Sequence, residues 1–380
     1  MTREVNHFID GKSFTGTSGR FGDIHDPNTG EVQAKVQFST PTEVADAVEG
    51  AKKGQAIWAA MNPQRRARVL MKYKMLVEAE MDELAHLLSS EHGKVIADAK
   101  GDLIRGLEVI EFACGVPHLL KGEYTESAGP GIDVYSMRQP LGVVAGITPF
   151  NFPAMIPMWF MGMALSTGNA MIMKPSEKDP SVPVRLAELM LEAGLPEGVL
   201  QVVHGDKEAV DTLLQHDDIK AVSFVGSSNI AHYIAMECSK HGKRFQAMGG
   251  AKNHGIIMPD ADMDQVVTDF LGAAYGSAGE RCMALPVAVP VGKDTADEFV
   301  GRIKEEAAKL RIGVSTDDTV HYGPVVSAAH KASIENYIQM AVDEGADMLL
   351  DGRGFELPGH ENGFFIGPTL FDNVTTSMKS

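Results

Sequence analysis

Cysteine is scarce in this sequence: Cys114, Cys238 and Cys282 are the only three among 380 residues. They lie far apart, form no CxxC pair and match no zinc spacing, so neither a disulfide framework nor a metal site is expected. Isolated thiols fit a reducing compartment. Positive charge is also in deficit: 34 Lys and Arg face 51 Asp and Glu, a net charge of −17. Phosphate backbones need a basic face, so nucleic-acid binding is set aside. No apolar run is long enough to span a bilayer. The opening MTREVNHFID has no apolar signal core, and the expected setting is the cytoplasm. The fingerprint GxGxxG is missing after every predicted strand.

What is present describes a globular chain, with 44% hydrophobic and 22% charged residues and length for two or three domains. The N-terminal third reads as helices. Thr40-Pro41-Thr42-Glu43 is a capping-box pattern with Pro at the first helical position. Asn62-Pro63 opens a second helix, along which Leu70, Val77, Leu84 and Leu88 recur at helical spacing. A third helix runs to about Leu120 and contains Arg105. Between Gly122 and Gln139, β-forming residues flank a Gly-Pro-Gly turn and predict a hairpin arm. Apolar strands at 142–147, 170–173, 199–203 and 220–225 then alternate with helical stretches. That alternation predicts an α/β fold with a parallel sheet covered on both faces, which binds ligands at the carboxyl ends of its strands.

The residues following those strands are the candidates. Ser227 and Ser228 follow the strand ending at Gly226, where helix-start amides can hold a phosphate; an ordinary helix cap is the alternative. Lys174 and Glu177 in MKPSEKD stand where such a sheet binds a ribose, or form a solvated charged turn. In ITPFNFP, Asn151 offers amide donors for an oxyanion, or caps the helix that Pro153 helps to start. Cys282, in GSAGERCMAL, is either core filler or a nucleophile. Small residues leave it uncluttered, and the adjacent Arg281 cation is expected to lower its thiol pKa.

Taken in order, TPFNFP, KPSE, FVGS, the Gly-Gly-Ala-Lys segment at 249–252 and GERC resemble the aldehyde dehydrogenase superfamily. GAKNH, SAGERCMA and GPTLFDNVT are most similar to its CoA-acylating branch, which acts on methylmalonate and malonate semialdehydes. The resemblance implies an aldehyde-dehydrogenase-like fold: a parallel-sheet NAD-binding domain at 1–121 and 142–249, an oligomerisation arm at 122–141, and an α/β catalytic domain at 250–380. Members of the family continue beyond the position of Ser380, so that last domain is expected to be incomplete at its C-terminus.

The resemblance also implies roles. Cys282 is the nucleophile, and Asn151 with the Cys282 amide forms the oxyanion hole. Thr148, Phe150, Lys174, Glu177, Lys178, Ser227 and Gly249 contact NAD, and Arg105 and Arg281 grip the substrate carboxylate. Arg105 paired with Glu108 as a surface charge is the plainer alternative. Hydrolytic members place a glutamate before the glycines at 249–250; here Met248 stands there and no carboxylate lies nearby. Without a base for water, the acyl group is expected to pass to CoA, with loss of CO₂, giving propionyl-CoA or acetyl-CoA. A hydrolytic enzyme releasing a free acid, and a non-catalytic paralogue, remain alternatives. Expected partners are the small semialdehyde, CoA and further copies of the chain.

Overall fold

The computed structural model describes residues 3–379. Its first elements are strands rather than helices: β1 (Arg3–Val5), β2 (His7–Ile9), β3 (Lys12–Phe14), β4 (Phe21–His25) and β5 (Val32–Gln37). The helical reading of the N-terminal third therefore fails before residue 40. These strands are mostly three residues long, too short to show a period against a helical template. Helices follow as α1 (Pro41–Ala60), α2 (Pro63–Ala79), α3 (Met81–His92), α4 (Ile96–Cys114) and α5 (Val116–Leu119). The Thr40 capping box forms in full: Glu43 N donates to Thr40 Oγ1 at 3.2 Å, and Thr40 N donates to Glu43 Oε2 at 2.7 Å. Asn62 caps α2 by accepting from Arg65 N at 3.0 Å. The apolar run that reads as one helix from residue 63 divides at Glu80 into α2 and α3.

The hairpin arm is β6 (Tyr124–Gly129) and β7 (Ile132–Tyr135), paired antiparallel with Tyr124 opposite Tyr135. The alternating region supplies β8 (Val143–Ile147), α6 (Met155–Ser166), β9 (Ala170–Lys174), α7 (Ser181–Glu192) and β10 (Leu200–Val202). It continues with α8 (Lys207–Gln215), β11 (Ile219–Val225), α9 (Ser228–Lys240) and β12 (Arg244–Met248). The remainder is β13 (His254–Ile257), α10 (Met263–Tyr275), β14 (Val287–Pro290), α11 (Lys293–Ala307), α12 (Ala328–Asp343), β15 (Asp347–Leu350) and β16 (Leu370–Asp372).

Two compact units divide the chain. The first comprises Met1–Asp23, Ala34–Leu84 and Gly101–Gly249. Its seven-stranded sheet has the order β12-β11-β8-β9-β10-β2-β3, parallel from β12 to β10 and closed by the antiparallel β2–β3 hairpin. Every residue of β8 and β9 is buried, as expected of strands with helices on both faces. From β8 the chain steps outward to β9 and β10, then returns to place β11 on the other side of β8. The strand order thus reverses between β8 and β11, and a sheet of this type opens a crevice at such a reversal.

The second unit comprises Ile24–Gln33, Ala85–Lys100 and Gly250–Ser380. Two of its segments come from the N-terminal region that the sequence assigns to the nucleotide part. Long-range hydrogen bonds explain their placement: Ser89 Oγ donates to Ser315 Oγ at 2.8 Å, Ser315 N to Asn28 Oδ1 at 2.8 Å, and Phe364 N to Pro27 O at 2.9 Å. One core of this unit gathers Ile257, Val267, Phe270, Phe299 and Ile303 around the parallel pair β13–β14. Another gathers Val325, Ile338, Phe364 and Ile366 beside the antiparallel pair β15–β16.

Candidate active site

The sheet of the first unit brings its candidate residues to one edge. Lys174 pairs with Ile147 across β9 and β8, Ile147 pairs with Phe224 of β11, and Val225 pairs with Met248 of β12. The carboxyl ends of four strands therefore lie side by side. Thr148 and Phe150 follow β8, Glu177 and Lys178 follow β9, Ser227 follows β11, and Gly249 follows β12. Backbone bonds tighten this edge, from Thr148 N to Lys174 O at 3.1 Å and from Gly226 N to Met248 O at 3.1 Å.

Several groups at this edge have spare polar capacity. Thr148 Oγ1 is buried with no hydrogen-bond partner. A buried hydroxyl left in that state costs roughly 1–3 kcal/mol unless a ligand meets it. Lys174 is only 6% exposed and reaches Glu177 Oε2 at 3.5 Å, a distance that leaves both groups open to a further polar partner. Ser227 is the N-cap of α9, yet its side chain makes no capping bond. Ser227 thus takes the cap position without a side-chain capping bond, at the helix start whose amides can meet a ligand. Lys178 Nζ lies 4.5 Å from the centre of the Phe150 ring, a cation–π contact that fixes both side chains. A side chain at Gly249 would bring a Cβ within 3.0 Å of Ser228, so glycine keeps the backbone close to the start of α9. A buried hydroxyl without a partner, a helix start and a close backbone fit a dinucleotide such as NAD.

The turn that carries Asn151 leads into α6. The helix begins at Met155, and Met155 N donates to the buried Asp102 Oδ1 at 2.6 Å. Asp102 thereby fixes the turn that carries Asn151. Sequence pattern gave no sign of it, since a helix on one side of the chain supplies the cap of another. Arg105 is exposed and bonds Glu108 Oε2 at 2.8 Å, the surface pairing.

In the second unit, the thiol lies on an unusual backbone. Ser277 and Ala278 have φ of 53°, and Gly279 follows at 78°. Non-glycine residues in this left-handed region cost roughly 1–2 kcal/mol each, and such strain gathers at functional turns. Asn253, from the GAKNH motif, clamps the far side of the loop by donating to Cys282 O at 2.9 Å and Ala284 O at 2.8 Å. Glu280 is buried beneath it. Its Oε1 accepts from Val326 N at 3.3 Å and lies 3.2 Å from His330 Nε2, and its Oε2 is 3.9 Å from His92 Nε2. Sequence reasoning passed over both Glu280 and Asn253, because their partners lie tens of residues away.

The three thiols differ in access. Cys238 is buried and Cys114 half-buried, while Cys282 is exposed. Burial pushes the Cys238 thiol up to about 11. At Cys282, desolvation of the sulfur also raises the thiol, while the Cys282 and Met283 amides and the charge of Lys94 pull it down. The expectation for Arg281 is corrected here. Its Nη2 donates to Asp98 Oδ1 at 2.6 Å and its Nη1 to Gly272 O at 3.2 Å, so its guanidinium is turned to Asp98 rather than to the sulfur. The cation that acts on the sulfur is the buried Lys94, 188 positions earlier in the chain.

The aldehyde dehydrogenase family model matches residues 14–380. The chain belongs to the aldehyde dehydrogenase family. A curated malonate-semialdehyde dehydrogenase of Pseudomonas aeruginosa is 50% identical over 98% of this chain and 75% of its own length. The mitochondrial, acylating methylmalonate-semialdehyde/malonate-semialdehyde dehydrogenase of Bos taurus is 44% identical over 98% of this chain and 69% of its own. Among solved structures, a Sinorhizobium meliloti protein complexed with NAD, and provisionally named methylmalonate-semialdehyde dehydrogenase, superposes with a TM-score of 0.98. It is 58% identical and covers 100% of this chain and 77% of its own.

Proposed function

We propose that the protein oxidises malonate or methylmalonate semialdehyde with NAD through a thioester on Cys282 and passes the acyl group to CoA. The observation that carries this reading is the exposure of Cys282, alone of the three thiols, on a loop with two left-handed non-glycine residues. The names and high identity of the relatives support the substrate class.

In this reading the Cys282 sulfur attacks the aldehyde carbon, and the new oxyanion is met by the Asn151 amide and the Cys282 N–H. Thr148, Phe150, Lys174, Glu177, Lys178, Ser227 and Gly249 hold NAD, which when bound supplies the acceptor for the hydride. An acyl thioester remains on Cys282. Loss of CO₂ breaks the bond between the carboxylate and the α-carbon; the electron pair stays on that carbon, which takes a proton. A CoA thiolate then attacks the thioester carbonyl, and Cys282 leaves as thiolate. The products are acetyl-CoA from the malonyl group and propionyl-CoA from the methylmalonyl group. Arg281 and Arg105 bind the substrate carboxylate, for which the planar guanidinium fork is suited. The exposed arm, with Tyr124, Ile132, Val134 and Tyr135 bare, is proposed to pair copies of the chain.

Release to water needs a carboxylate that can polarise it. Met248 stands at the position where hydrolytic members carry one, and Glu280 is enclosed by Val326 and His330 with its side chain 2% exposed. Sustained NADH formation from malonate semialdehyde should therefore depend on CoA. With CoA omitted, one NADH per Cys282 is expected and then a stall. Continued turnover in CoA-free buffer, with free acid as product, defeats the acyl-transfer reading.

A further inference from the structure

Arg281 is not free to act as an isolated cation. Its guanidinium lies flat over Gly276, where a Cβ would sit 2.6 to 2.8 Å from three of its atoms, and it is oriented by the Gly272 carbonyl. Asp98, in the first turn of α4, completes the arrangement with an Nη2 to Oδ1 bond of 2.6 Å. Both side chains are partly exposed, at 30% and 23%. They open on a cavity of about 560 Å³ in the second unit that is also lined by Gly272, Tyr275, Gly276 and Tyr322. Backbone contacts thus set where the guanidinium lies, and Asp98 sets how much of its charge remains for a ligand.

We propose that Asp98 is a specificity-determining residue: a resident carboxylate that competes with the substrate carboxylate for Arg281. The inference rests on Arg281 as the substrate-carboxylate group of the proposed function. Its chemical logic concerns the second half of the reaction. A guanidinium that holds a carboxylate tightly stabilises the group that must leave as CO₂, and so opposes its loss. Once CO₂ has gone, an unpaired guanidinium is left facing a neutral acyl group. Asp98 weakens the initial grip and re-pairs the cation afterwards. The substrate class this suits is a short aldehyde bearing one carboxylate that is held loosely enough to depart.

The test compares KM for malonate semialdehyde with KM for propanal, which lacks the carboxylate, in the parent protein, Asp98→Asn, Arg281→Gln and the double variant. Asp98→Asn keeps the size and the accepting oxygen but removes the charge. The ratio of KM for propanal to KM for malonate semialdehyde is expected to rise about fivefold, the upper end for one half-exposed ion pair. The rise should vanish in the Arg281→Gln background. If Asp98→Asn lowers or leaves that ratio while Arg281→Gln lowers it, the competition is refuted and the arginine assignment stands. If Arg281→Gln leaves the ratio unmoved, the arginine assignment falls and takes this inference with it. Should Asp98→Asn fail to fold, Asp98→Ser is read by the same ratio.

Discussion

The two units present their chemistry on opposite kinds of backbone. In the first, the nucleotide candidates stand at or just after the ends of strands in one sheet, and the sheet's register sets those ends side by side. In the second, the thiol rides on two left-handed non-glycine residues. Its thiol feels the charge of Lys94, and its loop is held by Asn253, both far along the chain. A binding edge needs many modest contacts, and regular structure supplies them cheaply. A nucleophile needs one atom in one environment, which is assembled from distant residues at the expense of backbone strain.

The largest expected effect tests whether the reactive environment belongs to one thiol. Cys282→Ser should abolish NADH formation, by at least about 10⁴-fold, because an alcohol is far less ionised than a thiol. Cys238→Ser should retain turnover. Its sulfur is buried and its thiol pushed to about 11, so little thiolate exists there at neutral pH. Mass measurement after reaction with aldehyde and NAD should find the adduct on Cys282 only. An adduct on Cys114 or Cys238 with Cys282 unmodified dissolves the distinction between the two units.

A smaller effect isolates the long-range tuning. Lys94 is the cation that favours the Cys282 thiolate, against the desolvation that raises the thiol. Lys94→Met should raise that thiol further, so that alkylation of Cys282 at neutral pH slows by about three- to tenfold. The sign fixes the profile: alkylation of the parent protein should still be climbing with pH above the ordinary thiol range, and the variant's rise should lie at higher pH. Arg281→Gln should leave the alkylation profile in place. A shift with Arg281→Gln and none with Lys94→Met restores the neighbouring-cation reading that the sequence suggests.

That reversal marks what could be read from the sequence. The strand–helix alternation from Val143 to Val225, the Thr40 and Asn62 caps and the hairpin arm were all legible, because each is a local pattern. So were the residues following the strands. The five short N-terminal strands were not, for lack of length over which a period registers. The break at Glu80 was not, because one apolar stripe runs on through both helices. Adjacency in sequence made Arg281 look like the partner of Cys282, whereas tertiary packing turned it to Asp98. Glu280 was visible inside GERC, but its burial against Val326 and His330 depends on contacts that no spacing encodes.

The smallest effect sharpens the other side of the comparison. If the sheet edge works by many modest contacts, no single removal should be fatal. Thr148→Val takes away a buried hydroxyl that has no partner in the protein. The substitution removes that desolvation penalty, so the fold should be slightly stabilised. A bound nucleotide loses at most one neutral hydrogen bond, about 1 kcal/mol, and KM for NAD should rise about fivefold with kcat little changed. The two signs together are diagnostic. A hydroxyl serving only the fold predicts destabilisation with KM unmoved, and a hydroxyl in the chemistry itself predicts a fall in kcat. A rise in KM alongside a higher melting temperature is the signature of a polar group kept unsatisfied for a ligand, which is how this edge differs from the strained loop.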